Sequence, residues 1–221
     1  MRKRFHIIFY HEDQLIIFLH AKKTSLVIYT AMAMLHDTQS FQVISWTQDL
    51  SYDYNSELQH ITNIGNVIKS TALVRLSAAA VYDSYVSPIC LIDPGMKFPW
   101  GKECYVTGWG HTQWNSTQPD ILREAKVRLV PSQICNSVKS YNGTIHGRAL
   151  CAGFEKGGVD ACQYDSGGPL SCEYGGHFYL TGVVSWGHEC ARPHKYGVYA
   201  SMFKLTSWVK EVMNKYSNVE I

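Results

Sequence analysis

All seven cysteines of the chain fall between residues 90 and 190, at 90, 104, 135, 151, 162, 172 and 190, and none is spaced as Cys-x-x-Cys. That pattern argues against zinc and for disulfides. Disulfides persist outside the reducing cytosol, so the expected location is extracellular, either secreted or the ectodomain of a cell-surface protein. The odd count leaves one thiol free or paired with something outside this chain. Two sequons, "NST" at Asn115 and "NGT" at Asn142, lie in turn-like surroundings and agree with a secreted glycoprotein.

Short β-type runs dominate the chain: "ECYVTGWG", "AKVRLVP", "HFYLTGVVSWG" and "YGVYASM", separated by clusters of Gly, Pro, Asn and Ser. Their spacing predicts a mainly β fold of sandwich or barrel type. Near the end, Leu205, Trp208, Val209, Val212, Met213 and Tyr216 recur at three- and four-residue steps after Thr206 and Ser207, a hydroxyl pair able to cap a helix. The stretch from about Asp37 to Lys69 is polar with scattered aromatics and shows no period from which elements can be placed.

With 221 residues, 46% of them hydrophobic, there is apolar material for one large domain or two small ones sharing an interface. A net charge of +2 supplies no basic stripe, so nucleic acid is not an expected partner. No apolar run reaches the ~18 residues of a membrane span. The opening "MRKRFHIIFYHEDQLIIFLHA" begins like a secretory signal, but "HED" interrupts the apolar core, and it reads as domain sequence. No metal or cofactor is expected.

The segment "DACQYDSGGPL", residues 160–170, carries the chemistry. A serine hydroxyl is a poor nucleophile until a base removes its proton and donors receive the charge developing on the attacked carbonyl oxygen. Glycines beside Ser166 let the backbone approach a substrate and aim its N–H groups. Alone, "DSGGP" is also an ordinary turn, and it is not the Gly-x-Ser-x-Gly elbow of parallel-sheet hydrolases.

Context decides between these. "STALVRL", "VSPICL", "ECYVTGWG", "LCAGF", "DACQYDSGGPLSC", "VVSWG" and "YGVY" occur in the order and near the spacings of the trypsin-like serine proteases, and from about Ser70 to Met213 the chain resembles that family. The resemblance implies two antiparallel β-barrels of the chymotrypsin type with a C-terminal helix: residues 1–88 a divergent or incomplete first barrel, and 89–221 the second barrel with nucleophile and pocket. It implies the bridges Cys104 to Cys172, Cys135 to Cys151 and Cys162 to Cys190. Cys90 is left over, at a position that in many members bridges to an upstream propeptide or stalk; a free buried thiol is the alternative. Ser166 falls on the nucleophile, and the N–H groups of Tyr164 and Ser166 on the oxyanion hole. Asp160 falls on the floor of the specificity pocket, Gly187 and Gly197 on its walls, and Ser185, Trp186 and Gly187 on the edge to which substrate backbone pairs. An aspartate in a dry slot prefers a cation that brings its own hydrogen bonds, so the resemblance implies substrates and inhibitors that present Arg or Lys.

Four positions depart from the family pattern. Ser70 stands where the triad aspartate is expected. His36, in "AMLHD", is the best candidate for the base, followed by Asp37 where the family has a cysteine whose partner would align with Lys22. No Ile-Val-Gly-Gly activation sequence occurs, so the ammonium that would neutralise Asp165 is missing from the chain, which predicts a soft loop around Ser166. Tyr164 replaces a glycine, and either its Cβ disturbs the oxyanion donor or its ring only narrows what fits. Three functions stay open: an endopeptidase cutting after Arg or Lys, a non-catalytic binding protein that keeps the pocket, or an ordinary protease whose first ninety residues are a faulty reading of the gene.

Overall fold

The computed structural model describes the backbone of residues 9–11, 14–15, 43–48, 72–76 and 88–217, and the side chains of 88–211, 213 and 214. In the N-terminal part, β1 (Phe9–His11), β2 (Gln14–Leu15), β3 (Val43–Gln48) and β4 (Ala72–Leu76) form an antiparallel sheet in the order β1-β2-β4-β3. β3 lies in the stretch whose polar sequence showed no period. Its "VISWT" run of β-branched and aromatic residues is what suits a strand.

From residue 88 onward the strands are β5 (Cys90–Leu91), β6 (Glu103–Gly108), β7 (Arg123–Val130), β8 (Ala149–Gly153), β9 (Pro169–Tyr174), β10 (His177–Trp186) and β11 (Gly197–Ser201). The antiparallel order β11-β8-β7-β6-β9-β10 closes because β10 also pairs β11, giving a six-stranded barrel. Closure needs β10 to be long. Its first half carries the short parallel partner β5 through Tyr179 and Leu180, and its second half carries β11 from Gly182 to Trp186.

Alternation along the strands fills the barrel. Cys104 and Val106 of β6, Val127 and Leu129 of β7, Leu170 and Cys172 of β9 and Leu180 of β10 are all buried. Cys104 faces Cys172 directly in register, and the two are bonded across the sheet. The other bridges join Cys135 to Cys151 and Cys162 to Cys190, while Cys90, half-buried on β5, is free among the described residues. A single helical turn, α1 (Ser132–Cys135), leads into a satellite core around Tyr141, Ile145 and Tyr196.

The closing helix α2 spans Met202–Ser217 and starts where β11 ends. Met202, Leu205, Val209 and Met213 are buried against the barrel. Thr206 and Ser207 therefore lie inside the helix and do not cap it. The Thr206 hydroxyl donates to the Met202 carbonyl one turn back (2.8 Å), an option open to any threonine in a helix. Among the described residues no helix is long and apolar enough to cross a membrane.

Candidate active site

The loop between β8 and β9 carries both Asp160 and Ser166, and backbone hydrogen bonds hold it at several points. Its exit is stitched to β10: the Gly167 N–H donates to the Val184 carbonyl and the Val184 N–H to the Gly168 carbonyl, each at 2.9 Å. Ser166, exposed, is thus set beside the end of β10, where Ser185 is buried, Trp186 half-buried and Gly187 exposed. The strand pairing of β9 on β10 stops at Val183, so among the described residues no strand continues it along Ser185–Gly187. The Trp186 ring is fixed edge-on to Tyr141 at 5.0 Å. Tyr141 donates to the Tyr196 carbonyl (2.7 Å), and burial pushes its hydroxyl up to about 12, so it stays a donor.

Asp160 lies near the middle of the loop. Its Oδ1 accepts from the Ala161 N–H (2.8 Å) and its Oδ2 from the Ala191 N–H (3.3 Å), and the Cys162–Cys190 bridge ties the two segments together. A Cβ at Gly197 would overlap Asp160 Oδ1, whereas one at Gly187 would meet nothing closer than the Glu189 carbonyl at 3.4 Å. Burial drives the Asp160 carboxyl up to about 7; the two backbone donors offset part of that rise, and Asp165 adds to it.

Tyr199 meets Asp160 at Gly197 and was not among the residues singled out from the sequence. It is fully buried, its hydroxyl has no hydrogen-bond partner, and it would lie 3.1 Å from a Cβ at Gly197. The signal was present: two residues apart on β11, Gly197 and Tyr199 share a face of the strand. Burial raises its hydroxyl well above the ordinary range, so it stays protonated and keeps both its donor and its acceptor capacity.

Asp165 directly precedes the serine. Oδ1 accepts from the Gly110 N–H (2.8 Å) and Oδ2 from the Cys162 N–H (2.9 Å), and no described side chain forms an ion pair with it. Burial raises its pKa, while the two amide donors and the nearby His111 oppose the rise. A Cβ at Gly108 or at Gly110 would overlap its carboxylate. These two glycines were also absent from the sequence-based set.

Tyr164 adopts φ 74°, the left-handed region that glycine enters freely and a side chain enters at a cost. Its ring is 58% exposed and packs on the His111 ring at 4.8 Å. Asn115 and Asn142, the sequon asparagines, are exposed and also have positive φ, 56° and 45°. His36 and Ser70 lie outside the described residues. No group of side chains fit to hold a metal ion occurs among the described residues.

A family profile described as Trypsin matches residues 23–209. The chain belongs to the trypsin family. It is 44% identical over 154 residues to transmembrane protease serine 9 of Rattus norvegicus, covering 69% of this chain and 14% of that protein. It is 45% identical over 139 residues to transmembrane protease serine 11C of Mus musculus, covering 62% of this chain and 32% of the relative. Against transmembrane protease serine 5 of Homo sapiens the identity is 44% over 141 residues, 63% and 31% of the two chains. The chain thus spans a third or less of the length of these relatives. Its closed barrel and terminal helix are those of a chymotrypsin-type, trypsin-like serine protease.

Proposed function

We propose that the chain is an endopeptidase that cuts protein substrates after Arg or Lys. The observation that carries this is the placement of the Asp160 carboxylate against Gly197, in the same loop as the exposed hydroxyl of Ser166. A guanidinium or ammonium entering over Gly187 and Gly197 meets an acid that burial has left in need of a counter-charge. The residue preceding the scissile bond is then anchored, and the backbone before it pairs with the Ser185–Gly187 edge.

The reaction follows from that docking. A base, for which His36 is the candidate, takes the Ser166 proton as Oγ attacks the scissile carbonyl carbon. The carbonyl oxygen, now negative, is received by the N–H groups of Tyr164 and Ser166. The left-handed backbone at Tyr164 is the one a glycine would adopt there, which supports an amide aimed as a glycine's would be despite the Cβ. The base then protonates the leaving amine, the C–N bond breaks, and water hydrolyses the acyl-serine by the same steps in reverse order. Ser70 replaces the carboxylate that would stabilise a protonated base, and neutralising that member of such a triad lowers turnover by about 10⁴. Slow turnover is the expected outcome.

Further parts of the proposal are a division into barrels at residues 88 and 89, an extracellular location, inhibitors that present Arg or Lys, glycans at Asn115 and Asn142, and an upstream segment bridged through Cys90. A fluorophosphonate probe tests the chemistry. Labelling of the chain that Ser166→Ala abolishes is expected; no labelling of a chain that still binds benzamidine would overturn turnover and favour a binding protein that keeps the pocket.

A further inference from the structure

Ser166 has two flanks. One is the Asp160 slot with the free edge of β10; the other is the segment 110–116, which is bonded to the serine loop through Gly110 to Asp165 and through the His111 N–H to the Gln163 carbonyl (2.9 Å). A peptide anchored in the slot, with its preceding residues along β10, has to send the half that leaves across this second flank. The side chains standing there are fixed. Gln163 Oε1 accepts from the Asn115 N–H (2.8 Å) and bonds His111 Nδ1 (3.0 Å), and Gln163 Nε2 donates to Asn115 Oδ1 (3.0 Å). The His111 ring, held from below by this amide, supports the Tyr164 ring at 4.8 Å.

From this arrangement we propose that Tyr164, seated on His111, is a specificity-determining residue for the leaving half of the substrate and selects an aromatic side chain at one of the first two positions after the scissile bond. An exposed ring whose orientation is already fixed loses little freedom when a second ring stacks on it, and stacking adds to what burial of equal area supplies. Tyr164 also enters the left-handed region, a cost with no return in the barrel core, since its ring is 58% exposed. The inference rests on the reading of Asp160 and Ser166 as one substrate site.

The test is a binding measurement on the full chain, so that turnover plays no part. Three peptides carry Arg before a ketomethylene unit in place of the scissile amide: one has Phe at the first following position, one has Phe at the second, and one has cyclohexylalanine, equal in bulk but without a π face, at both. Phe at one of the two positions is expected to bind about 2- to 10-fold tighter than cyclohexylalanine. That ratio is expected to fall to about one in Tyr164→Gly, which relieves the backbone conformation and so folds, and to shrink in His111→Ala. Equal affinities in the parent chain, or a ratio unchanged in Tyr164→Gly, overturn the inference alone. Failure of the parent chain to bind benzamidine overturns the pocket itself, and the inference with it.

Discussion

On the Asp160 flank of Ser166 side chains are missing: Gly187 is open but for the Glu189 carbonyl, and the place of a side chain at Gly197 is taken by the Asp160 carboxylate beside the buried Tyr199 hydroxyl. On the opposite flank side chains crowd in, with Tyr164, His111, Gln163 and Asn115 bonded or stacked into a rim. Two aspartates of one loop show the same contrast. Asp160 and Asp165 each accept two backbone N–H groups, but Asp165 fills the side-chain positions of Gly108 and Gly110 while Asp160 fills that of Gly197. Asp165 ties the serine loop to the 108–110 segment, and Asp160 is the acid for which a ligand is proposed.

The contrast is best broken first at its charged end. Asp160→Asn is expected to weaken benzamidine binding by about 10²-fold or more, since a buried charge pair that loses one partner costs about 2–5 kcal/mol; titration calorimetry reads it directly. A loss of under about threefold would remove the slot from the binding energy. Cutting the Cys162–Cys190 staple with paired alanines is expected to cost about 2–5 kcal/mol in denaturant unfolding and to loosen the pocket flank before the rim.

The next effect is one of pH. Because burial raises Asp160 to about 7 in the folded chain, its proton stabilises the fold. That contribution is complete below the ordinary carboxylate range and is lost as pH rises through about 7. A bound cation favours the ionised form, so the trend in affinity is opposite: benzamidine binding should weaken about tenfold per unit as pH falls below about 7. Affinity independent of pH between 5 and 8 would mean that the carboxylate is already ionised without its ligand.

The smallest effect belongs to the rim. Tyr164→Gly releases a left-handed side chain but gives up its contact with His111, a net gain of about 1 kcal/mol. For a chain of this size that is about 2–4 °C in melting temperature. A fall in melting temperature would instead make the aromatic stack a structural fixture.

What was legible in the sequence followed the physics of short range. Strands with alternating burial, such as "ECYVTG", announce their inward face, and β10 and β11 were visible as β-type runs, "HFYLTGVVSWG" and "YGVYASM". The slot glycines, Asp160 and Ser166 were readable through motif resemblance, and their roles remain proposals. The helix start was misread at Thr206 because a hydroxyl serves a cap and an internal back-bond equally well, and only the abrupt end of β11 at Ser201 decides between them. The rim was hidden for a different reason. His111 and Asn115 are 52 and 48 residues from Gln163 in sequence, and nothing local in "GHTQWN" says that it will fold onto the serine loop. The left-handed backbone of Tyr164 runs against its propensity, so the substitution for glycine raised the question that coordinates were needed to answer.

Gly108 and Gly110 carry a consequence that reaches beyond catalysis. Because Asp165 fills the volume their side chains would occupy, the β6 exit behaves as a keyhole into which the serine loop turns from 55 residues away. A saturation scan should find both glycines intolerant while Thr112, Gln113 and Trp114 accept wide replacement. The rim can therefore be regrafted outward from a lock that is already set.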